Sequence, residues 1–360
     1  MINISKPFFS EEEYESALNV LKSGNLAQGE KVLEFEDNFR KFIGSKEAIA
    51  VSNGTSALHT SLLSHGIKKD DEVITTSFTF AATPNTILHT GATPVFVDIN
   101  EDDFNIDPDK IEEKITKKTK AILPVHLFGC PCNIDKIEKI AKKHNLEIIE
   151  DCAQAIGTSF NNIISGSRFT GCFSFYPTKN ITTIEGGMIT TNNDMINEKC
   201  RMIRNHGSKE RYKYEILGHN FRMDNLRASI GIVQLKKISI FNKKRKDNAL
   251  YLEENLNING IIKPEIKKGH TFNQYTIRIT EDFKRTRDKT AEILKENGIM
   301  TGIYYPVPMH KTILYTKLGY SNQVLQVSEK ISKEVLSLPI HPEINQENLD
   351  HIINTLENIK

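Results

Sequence analysis

Glu147-Ile148-Ile149-Glu150-Asp151-Cys152-Ala153-Gln154 sets β-branched apolar residues ahead of Asp151. The run reads as a short buried strand, 147–151, that carries Asp151 at its carboxyl end. A carboxylate there needs a partner, because burying an isolated charge is expensive. Similar runs precede it at 48–51, 72–76, 94–98 and 121–126, each bounded by polar or Gly/Pro positions. Helical patterns at 56–65 and 135–144 fall between them. This alternation predicts an α/β fold, a largely parallel sheet with helices on both faces. In such sheets functional groups collect at the carboxyl ends of the strands.

The chain has 360 residues, more than one small core needs, and suits a large domain plus a smaller one. A lysine-rich helical pattern over 227–256 leads into mixed helices and strands, one of them at 274–279. The expected domains are 1–240 and a smaller α+β domain, 241–360, with the N-terminal segment free to pack on the second. Basic and acidic residues number 47 and 46, a formal net charge of +1, so no whole-molecule field argues for nucleic acid or an anionic membrane. A phosphorylated ligand has to be held by local groups. No apolar stretch reaches the length of a membrane span, and the amino terminus lacks the layout of a signal peptide. Five cysteines, an odd number without framework spacing, read as reduced thiols of a cytoplasmic protein. Cys130-Pro131-Cys132 has no second pair or histidine at zinc-ligand spacing, so no metal site is expected.

Four features at predicted strand ends bear on chemistry. Ser52-Asn53-Gly54-Thr55-Ser56 follows the first strand; Gly54 permits a close turn, and Thr55 and Ser56 open a helix whose free amides suit an anion. Asp151 can pair with a protonated pyridine nitrogen, and Gln154 lies one helical turn on. In Ser174-Phe175-Tyr176-Pro177-Thr178-Lys179-Asn180, Lys179 stands among apolar and aromatic neighbours. Desolvation there lowers an amine's pKa and suits an imine-forming nucleophile. Ser174 can offer a hydroxyl to a phosphate, and Phe80, after the second strand, can stack on a ring. Taken singly, each feature also reads as a capped helix, a capping Asp, a surface lysine or a core aromatic.

Taken together they resemble one family. Asp151-x-x-Gln154, Ser174-Phe175-x-x-x-Lys179 and Glu185-Gly186-Gly187 are similar to the DegT/StrS-like sugar aminotransferases, which are fold-type I pyridoxal-phosphate enzymes. Gly54-Thr55-Ser56-Ala57-Leu58 resembles their phosphate turn, and Thr79-Phe80 their ring-stacking position. Arg204-Asn205-His206-Gly207, the 217–223 stretch, Asn273-Gln274-Tyr275-Thr276 and the 304–310 stretch extend the likeness along nearly the whole chain. The resemblance implies a mostly parallel seven-stranded sheet, pyridoxal 5'-phosphate as cofactor and Lys179 joined to it as a Schiff base. Lys179 would then move protons at the reacting carbon, and Asp151 would face the pyridine nitrogen. Gln154 would reach the phenolic oxygen. Ser174 and the Gly54 turn would hold the phosphate, joined by Asn220 from a second subunit of a homodimer with shared active sites. Tyr176 and His310 are candidate substrate contacts.

The implied reaction moves an amino group from an amino acid, glutamate by preference, to a nucleotide-diphospho keto sugar in polysaccharide or related biosynthesis. The 304–310 stretch is more similar to members that aminate the third sugar carbon than the fourth. Two alternatives share the fold. One is a sugar dehydratase, whose members replace the imine lysine, and the other is a non-catalytic regulatory relative. Ile184 stands where relatives often carry glycine.

Overall fold

The computed structural model describes residues 1–359. Its main sheet has seven strands: Glu47–Val51 (β1), Glu72–Thr76 (β2), Thr93–Val97 (β3), Thr119–Ile122 (β4), Glu147–Asp151 (β5), Thr170–Ser174 (β6) and Gly187–Thr191 (β7). They lie in the order β1-β7-β6-β5-β4-β2-β3. β7 runs antiparallel to both neighbours, and the remaining pairs are parallel. The fourth predicted strand ends early, at Ile122. Pro124 has no amide proton for the ladder, and only Val125 rejoins it, as a bridge to Asp151.

Both faces are covered, as near-continuous apolar runs require. On one face Ala48, Ala50, Phe173, Phe175 and Met188 pack under the helices Glu30–Ile43 and Asn225–Asn255. The ring of Phe39 lies 5.0 Å from Phe173, edge to face. The alternate residues Ile49, Val51, Cys172 and Ile189 point to the opposite face, under the helices Gly54–Ser64 and Asp194–Arg204. This two-residue alternation is the pleat. A buried ion pair pins the first strand: Glu36 accepts from Arg204 Nη1 at 2.5 Å and from the Ala50 amide at 2.8 Å.

A second, three-stranded antiparallel sheet joins Ile261–Ile262 (β8), Tyr275–Ile279 (β9) and Val335–Leu338 (β10). Its core also holds Ile2 from the amino terminus, Leu252 from the long helix and Ile352 from the helix Gln346–Glu357. Position 240 lies within the continuous helix Asn225–Asn255. No helix among the described residues is long and apolar enough to cross a membrane. All five cysteines are buried and unpaired.

Candidate active site

The parallel strands deliver their carboxyl ends to one edge of the sheet, where a cavity of about 640 Å³ opens. Its walls include Gly54 and Thr55 after β1, Phe80 and Thr83 after β2, Asp151 at the end of β5 with Gln154 beyond it, and Ser174 at the end of β6 with Tyr176 and Lys179 beyond it. Asn273, Gln274, Tyr304 and Tyr305 close it from the side of the second sheet. A wider groove of about 820 Å³ lies at the amino ends of the strands, lined by His65, Lys68, Lys117 and Glu147. That groove is an open polar surface far from these groups, so the smaller cavity is the candidate site.

Asp151 is 4% exposed. Burial is the largest influence and leaves its pKa raised above the ordinary carboxylate value, against the opposing effects of the Thr83 hydroxyl, the Ala153 amide and the charges of Lys179 and His126. Thr83 Oγ1 donates to Oδ2 at 2.8 Å, and the Ala153 amide to Oδ1 at 3.1 Å. Lys179 follows a turn closed by its own amide on the Tyr176 carbonyl at 2.9 Å. The residue is partly exposed, yet its amine is desolvated by the protein around it. That burial lowers its pKa to about 8, against the opposing pull of Asp151.

The helix after β1 starts at Gly54, with Asn53 as its cap accepting from the Ser56 amide at 2.8 Å. The Gly54 and Thr55 amides have no partner among the described residues, which leaves two donors facing the cavity at a helix N-terminus. A Cβ on Gly54 would stand 2.8 Å from the Ser174 Cβ, so glycine brings this turn against the Ser174 side chain. Ser56 is buried; its hydroxyl bonds Asn53 at 3.0 Å and Ser52 at 2.9 Å, and it does not line the cavity.

Gln154 is held at both ends. Its Oε1 accepts from the Phe128 amide at 2.7 Å, and its Nε2 donates to Tyr305 Oη at 3.1 Å. Phe80, 60% exposed, and Tyr176, 47% exposed, stand on the rim. Besides Ser56, two of the predicted residues lie outside the cavity. His310 is buried, with Nδ1 bonded to Ser77 at 2.7 Å and Nε2 to Glu329 at 3.0 Å. Asn220 is exposed and pairs only with Asn205 as an isolated bridge. Reading the residues alone passed over Thr83, which carries no motif; a threonine in the first turn of a helix is too common to signal anything. Ile184 sits at φ 72°, the left-handed region that glycine enters freely, which explains the glycine expected at that position.

The residues present fit a phosphorylated pyridine aldehyde. There is a donor pair for the phosphate, a buried acid for the ring nitrogen and a desolvated amine for the aldehyde carbon. Fold and site together are those of a pyridoxal-phosphate-dependent transferase. The chain belongs to the DegT/DnrJ/EryC1/StrS aminotransferase family, whose model it matches over residues 7–357. It is 41% identical to the "pleiotropic regulatory protein" of Geobacillus stearothermophilus, covering 94% of this chain and 91% of that one. It is 38% identical to the dTDP-3-amino-3,6-dideoxy-alpha-D-galactopyranose transaminase of Aneurinibacillus thermoaerophilus, over 96% and 95% of the two chains. The crystal structure of NtdA from Bacillus subtilis, with the cofactor PMP (pyridoxamine phosphate) bound, superposes with a TM-score of 0.90. That match has 34% identity and covers 98% of this chain and 85% of that one. The protein is an aminotransferase, and pyridoxal phosphate is its cofactor.

Proposed function

We propose that the enzyme carries an amino group from L-glutamate to a nucleotide-diphospho keto sugar, at the third carbon of the sugar. The observation that carries this reading is the meeting of Lys179, Asp151 and the Gly54 turn on one cavity. The sugar class rests on the relatives, among them the transaminase whose name places its amine at carbon 3.

In this reading Asp151 faces the ring nitrogen, Ser174 and the Gly54 and Thr55 amides hold the phosphate, and Phe80 covers the ring. Gln154 turns its Nε2 toward the phenolic oxygen, and Tyr176 borders the substrate. The cofactor, when bound, supplies an electron sink for the charge that develops at the donor's α-carbon. Lys179, close to half free base near pH 8, takes the α-proton and returns it to the acceptor side. Asn220 completes the phosphate pocket of a second copy of the chain, which makes the working unit a homodimer. Its position on an exposed segment outside its own cavity supports that role. His310 is not assigned to the substrate, since both ring nitrogens are already engaged. We read residues 1–240 as the large domain and 241–360 as the small one, and we place the enzyme in the cytoplasm with its thiols reduced.

The test is spectral. Glutamate should bleach the visible band of the loaded enzyme, and the correct nucleotide keto sugar should restore it. Lys179→Ala should fold normally and lose turnover; near-normal transamination by that variant would refute the assignment. A non-catalytic, cofactor-binding regulator, the class suggested by the name of one relative, is disfavoured by the presence of Lys179, Asp151 and Ser174 at one cavity. It requires a band that glutamate leaves unchanged. A dehydratase is disfavoured by the presence of Lys179, and an amino sugar as product excludes it.

A further inference from the structure

Thr83 Oγ1 donates to Asp151 Oδ2 at 2.8 Å and also lies 3.0 Å from Thr79 Oγ1. A hydroxyl has one proton to give. With the Thr83 proton spent on the carboxylate, the contact with Thr79 has to run the other way, Thr79 donating to Thr83. The direction of the chain is therefore fixed, from Thr79 through Thr83 to Asp151. Thr79 and Thr83 are 2% and 1% exposed, so water does not compete for either link. To protonate Asp151 on Oδ2, the link to Thr83 would have to reverse and the Thr83 proton would have to find another acceptor.

The other oxygen is engaged as well, by the Ala153 amide at 3.1 Å. Among the groups that oppose the effect of burial on Asp151, the Thr83 hydroxyl acts most strongly. Such a bond to a charged group in a dry site is stronger than one between neutral groups. The segment from Thr79 to Thr83 thus presents Phe80 to the cavity and also turns its hydroxyls toward the acid beneath it.

We infer that Thr83 is a positioning residue of the transamination: through Asp151 it keeps that carboxylate ionised and aimed at the cofactor's ring nitrogen, with Thr79 as the donor behind it. This rests on the proposed pairing of Asp151 with the nitrogen. Thr83→Val keeps the side chain's shape and removes the hydroxyl, with it the bond to Asp151 and the acceptor for Thr79, and Thr83→Ser keeps the hydroxyl.

The experiment compares the affinity of the full-length apoenzyme for two probes. One is pyridoxamine 5'-phosphate, and the other is its 1-deaza analogue, in which C–H replaces the ring nitrogen. Wild type should prefer the nitrogen-containing probe. Thr83→Val should lose about ten-fold of that preference, with unchanged affinity for the deaza probe, and Thr83→Ser should restore it. Full retention of the preference by Thr83→Val, or an equal loss of both probes, overturns the role of Thr83 alone. Absence of any preference in wild type overturns the pairing of Asp151 itself.

Discussion

Asn273, on the approach to β9, bonds the side chain of Asn180: its Nδ2 donates to Asn180 Oδ1 at 2.9 Å and to the Thr178 carbonyl at 3.3 Å. Lys179 lies between the two residues so held. Asn180 is braced again from the long helix, donating to Asn242 Oδ1 at 2.7 Å, and it donates to the Thr271 carbonyl at 3.2 Å. Removing the clamp should loosen the lysine without touching the cavity's charges. Asn273→Ala is expected to lower kcat by up to about thirty-fold, the equivalent of two lost hydrogen bonds of about 1 kcal/mol each. Steady-state kinetics alongside thermal melting check this, and an unchanged kcat would show that the clamp is dispensable.

The lowered pKa of Lys179 makes cofactor capture pH-dependent. With a value of about 8, roughly a tenth of the amine is free base at pH 7, far more than for an ordinary lysine. The rate at which the apoenzyme captures pyridoxal phosphate should climb about ten-fold per unit below pH 8 and level off above it. Stopped-flow absorbance would measure this, and a rise that continued to pH 10 would contradict it. The same shift bears on stability. Between about 8 and the ordinary 10.5 the unfolded chain binds more protons at this site than the folded one. The apoenzyme should gain stability from this group as pH rises through that window, and lose it as pH falls through about 8.

The start of β7 lies against the anion-binding turn. A Cβ on Gly187 would come within 2.3 Å of the Asn53 carbonyl oxygen and 3.0 Å of the Gly54 nitrogen, both backbone atoms. Gly187→Ala should displace the turn at a cost of about 1–3 kcal/mol and weaken cofactor retention about ten-fold or more. Dialysis of the loaded enzyme followed by absorbance gives the answer. Retention equal to wild type would mean that the turn yields without cost.

Ile184 holds a left-handed backbone that disfavours a β-branched side chain by about 1–2 kcal/mol. Glycine removes that penalty and adds about 0.5–1 kcal/mol of chain entropy to lose. Ile184→Gly is therefore expected to stabilise the protein, by up to about 1 kcal/mol in denaturant titration. A clear loss of stability would mean that the half-exposed Ile184 side chain makes contacts worth more than the strain.

Much of the sheet was legible because strands buried on both faces are written as local apolar runs. The predicted 72–76 and 147–151 match β2 and β5 residue for residue. The run at 121–126 was overextended because apolar character continues past the point where Pro124 takes away a ladder amide. Asp151, Ser174 and Lys179 could be read because strand ends and family spacing mark them. Thr83, Asn273 and Tyr305 carry no comparable local mark. The site meets them through contacts spanning 68 residues from Thr83 to Asp151 and 151 from Gln154 to Tyr305.

From the sequence alone came the alternation of the first five strands with helices, the lysine and acid of the site, and the glycine turn for an anion. Each of these depends on a few consecutive residues, so pattern and spacing suffice. Tertiary structure alone decided which hydroxyl faces Asp151, which asparagine braces Lys179 and why His310 stays outside the cavity. Those outcomes depend on which distant groups satisfy one another's hydrogen bonds once water is excluded, and a linear order of residues does not state such pairings.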